Sequence, residues 1–265
     1  MYFNSNDFIN LKKFFNENGF VVINNFFKKK QILDIKKKIN RNKINFDPKH
    51  TYYEKIKNNF RYRRIESITD QSKDIQDILY SEKISNILQL LKKEKQVLFK
   101  DKLNFKYPGG EGFLPHIDGH FYWKDKNNKI KKGWSVYSDS FTNVVIPLEK
   151  SDEKNGCLYL SSKQDTLKLG DSWNKISKLI TKFTPYLKKR LIKNFSFFPT
   201  KLNSGDVLIF DWYCAHLSKK NNSKSSRMIF YATFCKKNKK SNAVRNNYYS
   251  DKKLSKNNNL AKSVQ

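Results

Sequence analysis

The hydrophobic pattern of this chain predicts an α+β protein whose core is a two-sheet antiparallel roll, and three observations lead to that prediction. Apolar residues recur at helical spacing through roughly the first ninety residues. From Gln96 the period changes to two, which is the period of a half-buried strand. Short apolar segments separated by turn residues then continue to about residue 235. Helices followed by turn-separated strands are typical of this architecture.

The N-terminal part of the chain carries the helical segments. Ser5-Asn6-Asp7 is a capping signal for the first helix, and Asn18-Gly19 is a stop signal. The next regular segments are a buried strand at Phe20–Ile23 and helices at about Lys30–Ile39 and Asp74–Leu91. Residues 41–68 are polar and show no period, so they are predicted to be irregular.

The C-terminal part of the chain carries the strands. The longest alternating segment runs from Gln96 to Lys106. Further strands are predicted at Thr142–Leu148, Cys157–Leu160, Val207–Ala215 and Arg227–Phe234. The last two are expected to pair as a hairpin centred on Asn221-Asn222. Within the insertion 163–195, a helix is predicted from about Trp173 to Leu191.

The domain organisation follows from where the apolar residues stop. Residues 1–235 are predicted to form one domain, because neither an internal repeat nor a second core is visible. Residues 236–265 are rich in Lys, Asn and Ser and poor in apolar residues, so a disordered tail is predicted.

Composition restricts the class and location of the protein. The formal net charge is +30, which raises the question of a nucleic-acid partner. Lysine is spread along the chain together with Asn and Ile, and no recognised binding module occurs, so we expect no specific nucleic-acid partner. No apolar run reaches the length of a membrane span, and the N-terminus lacks a signal-peptide pattern. The three cysteines form no Cys-x-x-Cys pair, which favours a reduced cytoplasm.

The segment around His116 predicts a metal site. His116 and Asp118 are two residues apart, so on a strand their side chains leave from one face. An imidazole and a carboxylate together are two ligands of the facial triad that holds non-haem Fe(II). His216, which follows the predicted strand at Val207–Ala215, is the candidate for the third ligand.

The predicted hairpin adds a carboxylate-binding group to this site. In its register His216 lies opposite Arg227, and Ser218 points to the same side as His216. A guanidinium one strand away from a metal-binding imidazole suits a carboxylate held close to the metal.

The order of these motifs resembles the phytanoyl-CoA dioxygenase-like family of Fe(II)/2-oxoglutarate oxygenases. The resemblance covers about residues 8–235. It is carried by Asn16–Ile23, Lys106-Tyr-Pro-Gly, His116-Ile-Asp118, Asn155-Gly-Cys-Leu, Gly205-Asp206 and His216-x-Ser218 with Arg227. It implies a double-stranded β-helix (jelly roll, cupin-like) core with N-terminal helices packed on it.

The same resemblance implies roles for individual residues. His116, Asp118 and His216 are expected to bind Fe(II). Arg227 and Ser218 are expected to hold the distal carboxylate of 2-oxoglutarate, and by position Lys102 and either Asn143 or Val145 line the co-substrate pocket. One departure is the stretch Leu160–Lys163, where the family usually has a Pro-Gly-Ser-His turn.

The resemblance also implies a reaction. With O2, such an enzyme hydroxylates an unactivated C–H bond and releases succinate and CO2, and ascorbate is expected to support turnover. The substrate is expected to be a small molecule, with an anionic metabolite or an acyl thioester as candidates. Two alternatives stay open: a basic, non-catalytic binding protein on a jelly-roll fold, and a cupin-like metal enzyme that does not use 2-oxoglutarate.

Overall fold

Two β-sheets of eight and four strands face each other and form the core of the protein. The computed structural model describes residues 1–4, 6–42, 45–125, 127, 129–170, 186–237 and 241–257. The strands are β1 Tyr2–Asn4, β2 Phe20–Asn24, β3 Thr51–Ile56, β4 Asn59–Glu66, β5 Gln96–Lys106, β6 Phe113–His116, β7 Tyr122–Lys124, β8 Ile130–Lys132, β9 Phe141–Pro147, β10 Leu158–Leu160, β11 Phe198–Thr200, β12 Val207–Asp211, β13 His216–Ser218 and β14 Arg227–Lys236. The helices are α1 Phe8–Asn18, α2 Lys29–Asn42, α3 Lys73–Leu79, α4 Glu82–Lys92, α5 Lys163–Leu167 and α6 Ser241–Asn257, and short 3-10 turns lie at Pro48–His50, Ile68–Asp70 and Lys189–Asn194.

The strand order shows how the roll is closed. The major sheet has the order β1-β2-β12-β9-β14-β5-β4-β3, and the minor sheet has the order β11-β10-β13-β6. Strands β7 and β8 form a separate two-stranded ribbon. Neighbours in both large sheets are antiparallel except for the edge pair β1–β2. This is the two-sheet antiparallel roll that the sequence predicts.

Helix α1 begins and ends as its capping residues predict. Asp7 is the N-cap residue, and Gly19 follows the helix with a φ of +82°. The Gly19 N–H donates a 2.7 Å hydrogen bond to the carbonyl oxygen of Phe15. Because a left-handed backbone favours glycine, this residue stops the helix and turns the chain into β2.

Strand β5 of the major sheet has one hydrophobic face and one polar face. Leu98, Leu103 and Phe105 pack into the same buried cluster as the N-terminal helices. Lys100 and Lys102 alternate with them and line a cavity between the two sheets. The period of two predicted this strand, and its polar face is turned toward the inside of the roll.

Two predictions for the N-terminal half need correction. Residues 41–68 are not irregular, because β3 and β4 form an antiparallel hairpin at the edge of the major sheet. The two strands are polar because charged side chains pair across them, as Arg63 and Glu54 do at 2.7 Å. The third helical region is two helices, α3 and α4, separated at Tyr80 and Ser81.

The predicted hairpin between the last two strands is wrong. Strand β12 ends at Asp211, and a turn closed by a 2.9 Å hydrogen bond from Cys214 N to Asp211 O leads the chain toward the minor sheet. His216 therefore pairs with His116 on β6, while Arg227 on β14 pairs with Lys106 on β5. The apolar pattern continues through the turn, so it could not show the change of sheet.

The prediction of a disordered tail is wrong for the part of it that the structure describes. Helix α6 packs against β5, with Val244 buried and the ring of Tyr248 4.7 Å from that of Phe99. Arg245 is paired with the buried Asp101 at 2.7 Å, and Lys252 is paired with Glu66 at 2.5 Å. A few apolar and aromatic side chains and these ion pairs anchor a segment of low overall hydrophobicity.

Two further points concern the described part of the chain. Most of the predicted helix at Trp173–Leu191 lies outside it, and a 3-10 turn begins at Lys189. None of the helices in the described ranges is long and apolar enough to span a bilayer.

Candidate metal centre

Two paired strands of the minor sheet bring the two histidines together. His116 ends β6, His216 begins β13, and the two residues are cross-strand partners. Their ring centroids are 4.1 Å apart. In the turn after β6, Asp118 returns to the same side and places its Oδ2 atom 3.9 Å from Nε2 of His216. One ligand atom from each of the three residues lies within 4.8 Å of the others, so the three could hold one metal ion.

Backbone carbonyls fix the orientation of both imidazoles. Nδ1 of His116 lies 2.7 Å from the carbonyl oxygen of Leu114, and Nδ1 of His216 lies 3.1 Å from that of Cys214. A carbonyl oxygen can only accept, so each Nδ1 carries the proton and each Nε2 has a free lone pair. Such outer hydrogen bonds are the usual way in which metal-binding histidines are oriented.

The carboxylate of Asp118 is oriented by a chain of polar side chains from the major sheet. Asn143 on β9 donates a 3.1 Å hydrogen bond from Nδ2 to Asp118 Oδ2. Thr233 on β14 in turn donates a 2.7 Å hydrogen bond to Asn143 Oδ1. Asn143 therefore fixes a candidate ligand in place and also lines the cavity, where the sequence predicts it.

Charge and burial leave these three residues ready for a cation. Burial, together with the nearby His216, lowers the pKa of His116 to about 3, and burial also lowers the pKa of His216. Burial by itself would raise the pKa of Asp118, but the neighbouring His216 and Lys100 keep it below its ordinary value. At neutral pH the site therefore holds two neutral imidazoles and one carboxylate, the protonation states in which these groups bind metals.

A second set of polar groups lies toward the other end of the cavity. The hydroxyl of Ser218 lines the cavity and accepts a 2.9 Å hydrogen bond from Lys106 Nζ. Arg227 lies across from Lys106 on the neighbouring strand. It is 4% exposed, and its Nε and Nη1 atoms have no hydrogen-bond partner among the described residues. Buried donors without a partner are rare, and they fit a site for an anionic ligand.

The predicted site residues thus converge on one cavity, although the hairpin that was to join two of them does not exist. The cavity encloses about 540 Å³ of empty space, including its open mouth. The predicted residues that line it are His116, Asp118, His216, Lys102, Asn143 and Ser218. Arg227 shares a strand face with the lining residues Tyr231 and Thr233, because they lie four and six residues after it on β14.

Sequence reasoning missed several polar residues of this cavity, among them two lysines and a threonine. Lys100 and Thr233 line it, and Lys106 donates hydrogen bonds at its Ser218 end. A signal for the lysines was available, because Lys100 and Lys106 alternate with buried apolar residues on a strand. In so basic a chain, lysines at such positions are easily taken for solvent-exposed charges.

Two imidazoles and a carboxylate on the inner wall of a two-sheet roll define a candidate mononuclear, non-haem metal centre. The sequence profile of the family described as phytanoyl-CoA dioxygenase (PhyH) matches residues 15–229. The chain belongs to this family, and its double-stranded β-helix core is the predicted one.

Known proteins similar to this chain agree with that assignment. The 2-aminoethylphosphonate dioxygenase of the uncultured bacterium HF130_AEPn_1 is 29% identical over 174 residues, which are 64% of this chain and 58% of that protein. The methylphosphonate hydroxylase of Gimesia maris is 26% identical over 223 residues, or 77% of this chain and 69% of that protein. Among solved structures, the non-heme alpha ketoglutarate dependent epimerase SnoN from nogalamycin biosynthesis superposes with a TM-score of 0.66 at 11% identity, covering 86% of this chain and 80% of that one.

Proposed function

We propose that this protein is an Fe(II)- and 2-oxoglutarate-dependent dioxygenase that hydroxylates a C–H bond of a small-molecule substrate and releases succinate and CO2. The observation that carries the proposal is the placement of a His-Asp-His cluster and a buried, unpaired arginine at one cavity. Family membership and the dioxygenase and hydroxylase names of two relatives support it.

The donor set fits iron. Nε2 of His116, Nε2 of His216 and a carboxylate oxygen of Asp118 form the 2-His-1-carboxylate set that binds non-haem Fe(II) and leaves positions open for other ligands. The hydrogen bonds at both Nδ1 atoms and at Asp118 hold these donors before any metal arrives.

The buried polar groups fit 2-oxoglutarate. Arg227 offers a buried guanidinium whose Nε and Nη1 atoms have no partner among the described residues, and a guanidinium matches a carboxylate in charge and in its planar array of N–H donors. Ser218 adds a hydroxyl on the cavity wall, and Lys102 adds a positive charge on the inner face of β5. In this proposal Arg227 and Ser218 bind the distal carboxylate, and Lys102 lines the space between that carboxylate and the metal ligands.

Bound together, Fe(II), 2-oxoglutarate and O2 supply the oxidising chemistry, with ascorbate keeping the iron reduced. The chain's part is to hold the ligands, to neutralise the co-substrate's charge and to select which C–H bond faces the metal. Asn143 helps to hold the ligands, because its hydrogen bond restricts the carboxylate of Asp118 to one orientation.

Relatives indicate which substrates to test first. Two of them are named for 2-aminoethylphosphonate and methylphosphonate, both small and anionic. The amino groups of Lys100 and Lys102 on the cavity wall suit an anionic substrate better than the long apolar chain of an acyl thioester. Burial lowers the pKa of both lysines, and a bound anion would favour their charged form. The three cysteines are buried and free, and we propose a reducing, cytoplasmic location on that ground.

The test is succinate release from 2-oxoglutarate by the full chain with Fe(II) and ascorbate. Phosphonates are added one at a time, and their hydroxylated products are sought by mass spectrometry. We expect slow succinate release without substrate and faster release with a hydroxylated one. Absence of both 2-oxoglutarate binding and succinate would favour the non-catalytic binding protein. Turnover of a substrate without 2-oxoglutarate, unaffected at Arg227, would favour the cupin-like alternative.

A further inference from the structure

Lys100 lies at the metal-ligand end of the cavity, away from Arg227. It is the cross-strand partner of Thr233 on β14, and Thr233 pairs with Asn143 on β9. Asn143 donates to Asp118, so one row of residues across the sheet leads from Lys100 to a candidate metal ligand. Arg227 is six residues from Thr233 on the same strand, which corresponds to roughly 20 Å of strand.

The ammonium group of Lys100 has no partner suited to its charge. Its Nζ atom lies 3.7 Å from the ring centroid of Trp134, which is itself 4% exposed, and 5.9 Å from that of Tyr248. Across the described ranges, it donates no hydrogen bond and has no carboxylate oxygen within 4.0 Å. The aromatic faces fix its position, but they do not replace the hydrogen bonds that an ammonium group makes in water.

Asp118 is the carboxylate whose charge acts most strongly on Lys100, and its Oδ2 atom has other partners. Its Oδ2 atom accepts a hydrogen bond from Asn143 and lies 3.9 Å from Nε2 of His216. When Asp118 binds a divalent cation, its charge is offset there and Lys100 is left partly buried beside a positive centre. Burial lowers the pKa of Lys100 well below its ordinary value, and an anion brought to its amino group would favour the charged form again.

We propose that Lys100 binds the anionic group of the primary substrate, and that this substrate is a small organic oxyanion, with a phosphonate favoured. This inference rests on the proposed function, since it takes the Arg227 end of the cavity as the place of the co-substrate. Lys100 is then a specificity-determining residue. Held against Trp134, it places the anionic end of the substrate in a fixed position relative to the metal ligands.

The experiment measures binding, and it uses three probes of one skeleton. Full-length protein, loaded anaerobically with Fe(II) and 2-oxoglutarate, is titrated calorimetrically with 2-aminoethylphosphonate, 2-aminoethanesulfonate and 3-aminopropanoate. Ethylamine, which lacks the anionic group, and inorganic phosphate, which lacks the carbon skeleton, are the comparison ligands. The variants are Lys100→Met, which keeps chain length and the contact with Trp134, and Lys100→Arg, which keeps the charge. Lys55→Met, on an exposed position of β3, is the matched control.

We expect at least one anionic probe to bind more tightly than both comparison ligands. Lys100→Met should weaken that binding by about 10-fold or more, the effect of one charged hydrogen bond, whereas Lys100→Arg should retain most of it. Lys55→Met should match the wild type. Lys100→Met should also keep or raise the melting temperature, because it removes a partly buried amino group that has no hydrogen-bond partner in the described ranges. A merely structural lysine would lower it.

Three results would decide against the inference. One is binding of every anionic probe no tighter than that of inorganic phosphate, and another is unchanged affinity in Lys100→Met. The third is equal loss of affinity in Lys55→Met, which would indicate general surface charge. If Lys100→Met does not fold, Lys100→Gln takes its place in the same titrations. In each of these cases, the proposed dioxygenase function still stands if the wild-type protein binds 2-oxoglutarate and releases succinate. If it does neither, the proposed function is contradicted as well.

Discussion

The Nζ atom of Lys106 donates a 2.9 Å hydrogen bond to the hydroxyl oxygen of Ser218. The same oxygen accepts a 3.2 Å hydrogen bond from the backbone N–H of Phe113. A serine hydroxyl has two acceptor lone pairs and one proton, so both lone pairs are in use and the proton is left to donate. Lys106 thereby makes Ser218 a donor on the wall of the cavity, which is the role needed to bind a carboxylate.

Replacing Lys106 should therefore weaken co-substrate binding through Ser218. We expect Lys106→Met to raise the dissociation constant of 2-oxoglutarate by about 10-fold, because Ser218 can then rotate. Burial and the nearby Arg227 lower the pKa of Lys106 to about 6, so the effect is expected from the lost hydrogen bond. The measurement is titration of iron-loaded protein with 2-oxoglutarate, with Lys55→Met as control. In a Ser218→Ala background the same substitution should cost clearly less, and full additivity of the two effects would contradict this coupling.

Arg227 should act on the co-substrate and not on the metal. Arg227→Lys keeps the charge but loses the two-pronged geometry, so 2-oxoglutarate affinity should fall by about 10-fold or more, on the order of 1–3 kcal/mol. Iron affinity, measured by competition with a chelator, should stay close to the wild-type value. Lower iron affinity with an unchanged 2-oxoglutarate requirement would be the opposite of what the position of Arg227 predicts.

Each of the three candidate ligands should be needed for iron binding. We expect His116→Ala, Asp118→Ala and His216→Ala to lose stoichiometric Fe(II) and succinate formation while keeping the folded circular dichroism spectrum. The side chains lie at the cavity and outside the main hydrophobic clusters. His50→Ala, on a histidine outside the cavity lining, is the matched control. A ligand variant with full iron content and activity would remove that residue from the set.

Acid should destabilise the metal-free protein from about pH 6.5 downward. The folded pKa of His116 is lowered to about 3 by burial and by His216, whereas an unfolded histidine titrates near 6.5. Between these values the unfolded state binds more protons, so stability falls with pH, by about 1.4 kcal/mol per unit for this one group. Urea unfolding of metal-free His116→Gln at about pH 6 and pH 4 should show a shallower fall. The control is His50→Gln, and a wild-type slope in His116→Gln would count against the assignment.

Removal of helix α6 should destabilise the fold. A chain ending at Lys237 loses Arg245, which pairs with the buried Asp101, and breaking a buried pair costs about 3–5 kcal/mol. Arg245→Met should show much of this loss in urea unfolding, and the exposed Arg61→Met should show little. A truncated chain as stable as the full one would restore the sequence-based prediction of an unstructured tail.

The sequence predicted the clustering of His116, Asp118 and His216 better than the strand pairing that supports it. His116 and Asp118 are close in the chain, so their two-residue spacing was nearly sufficient to predict that their side chains meet. His216 and Arg227 were both selected for the cavity, but the predicted hairpin between them is wrong. The turn that begins at Asp211 moves the chain to the other sheet, and hydrophobic periodicity contains no signal for which sheet a strand joins.

The polar lining and the C-terminal helix were missed for a related reason. Lys100 alternates with buried residues, but periodicity does not distinguish a face turned to solvent from one turned to an internal cavity. In α6, Val244 and Tyr248 lie four residues apart on one helix face, a signal too short to be noticed among many Lys and Asn residues. Both features depend on which elements pack against these residues, and local sequence does not contain that information.

Strand β14 carries two groups of the candidate centre, Arg227 at one end and Thr233 six residues later, with no bulge between them. Because side chains alternate along a strand, adding or deleting one residue between these positions would turn one of the two groups away from the cavity. The segment between Arg227 and Thr233 should therefore tolerate amino-acid substitutions better than insertions or deletions. The link at 219–226, which joins the two sheets, is tied to the same centre, because the carbonyl oxygen of Lys219 accepts a 2.7 Å hydrogen bond from Lys106 and the buried side chain of Asn221 donates to the Lys106 carbonyl oxygen. A change of length there would displace Lys106 and, with it, the hydroxyl of Ser218.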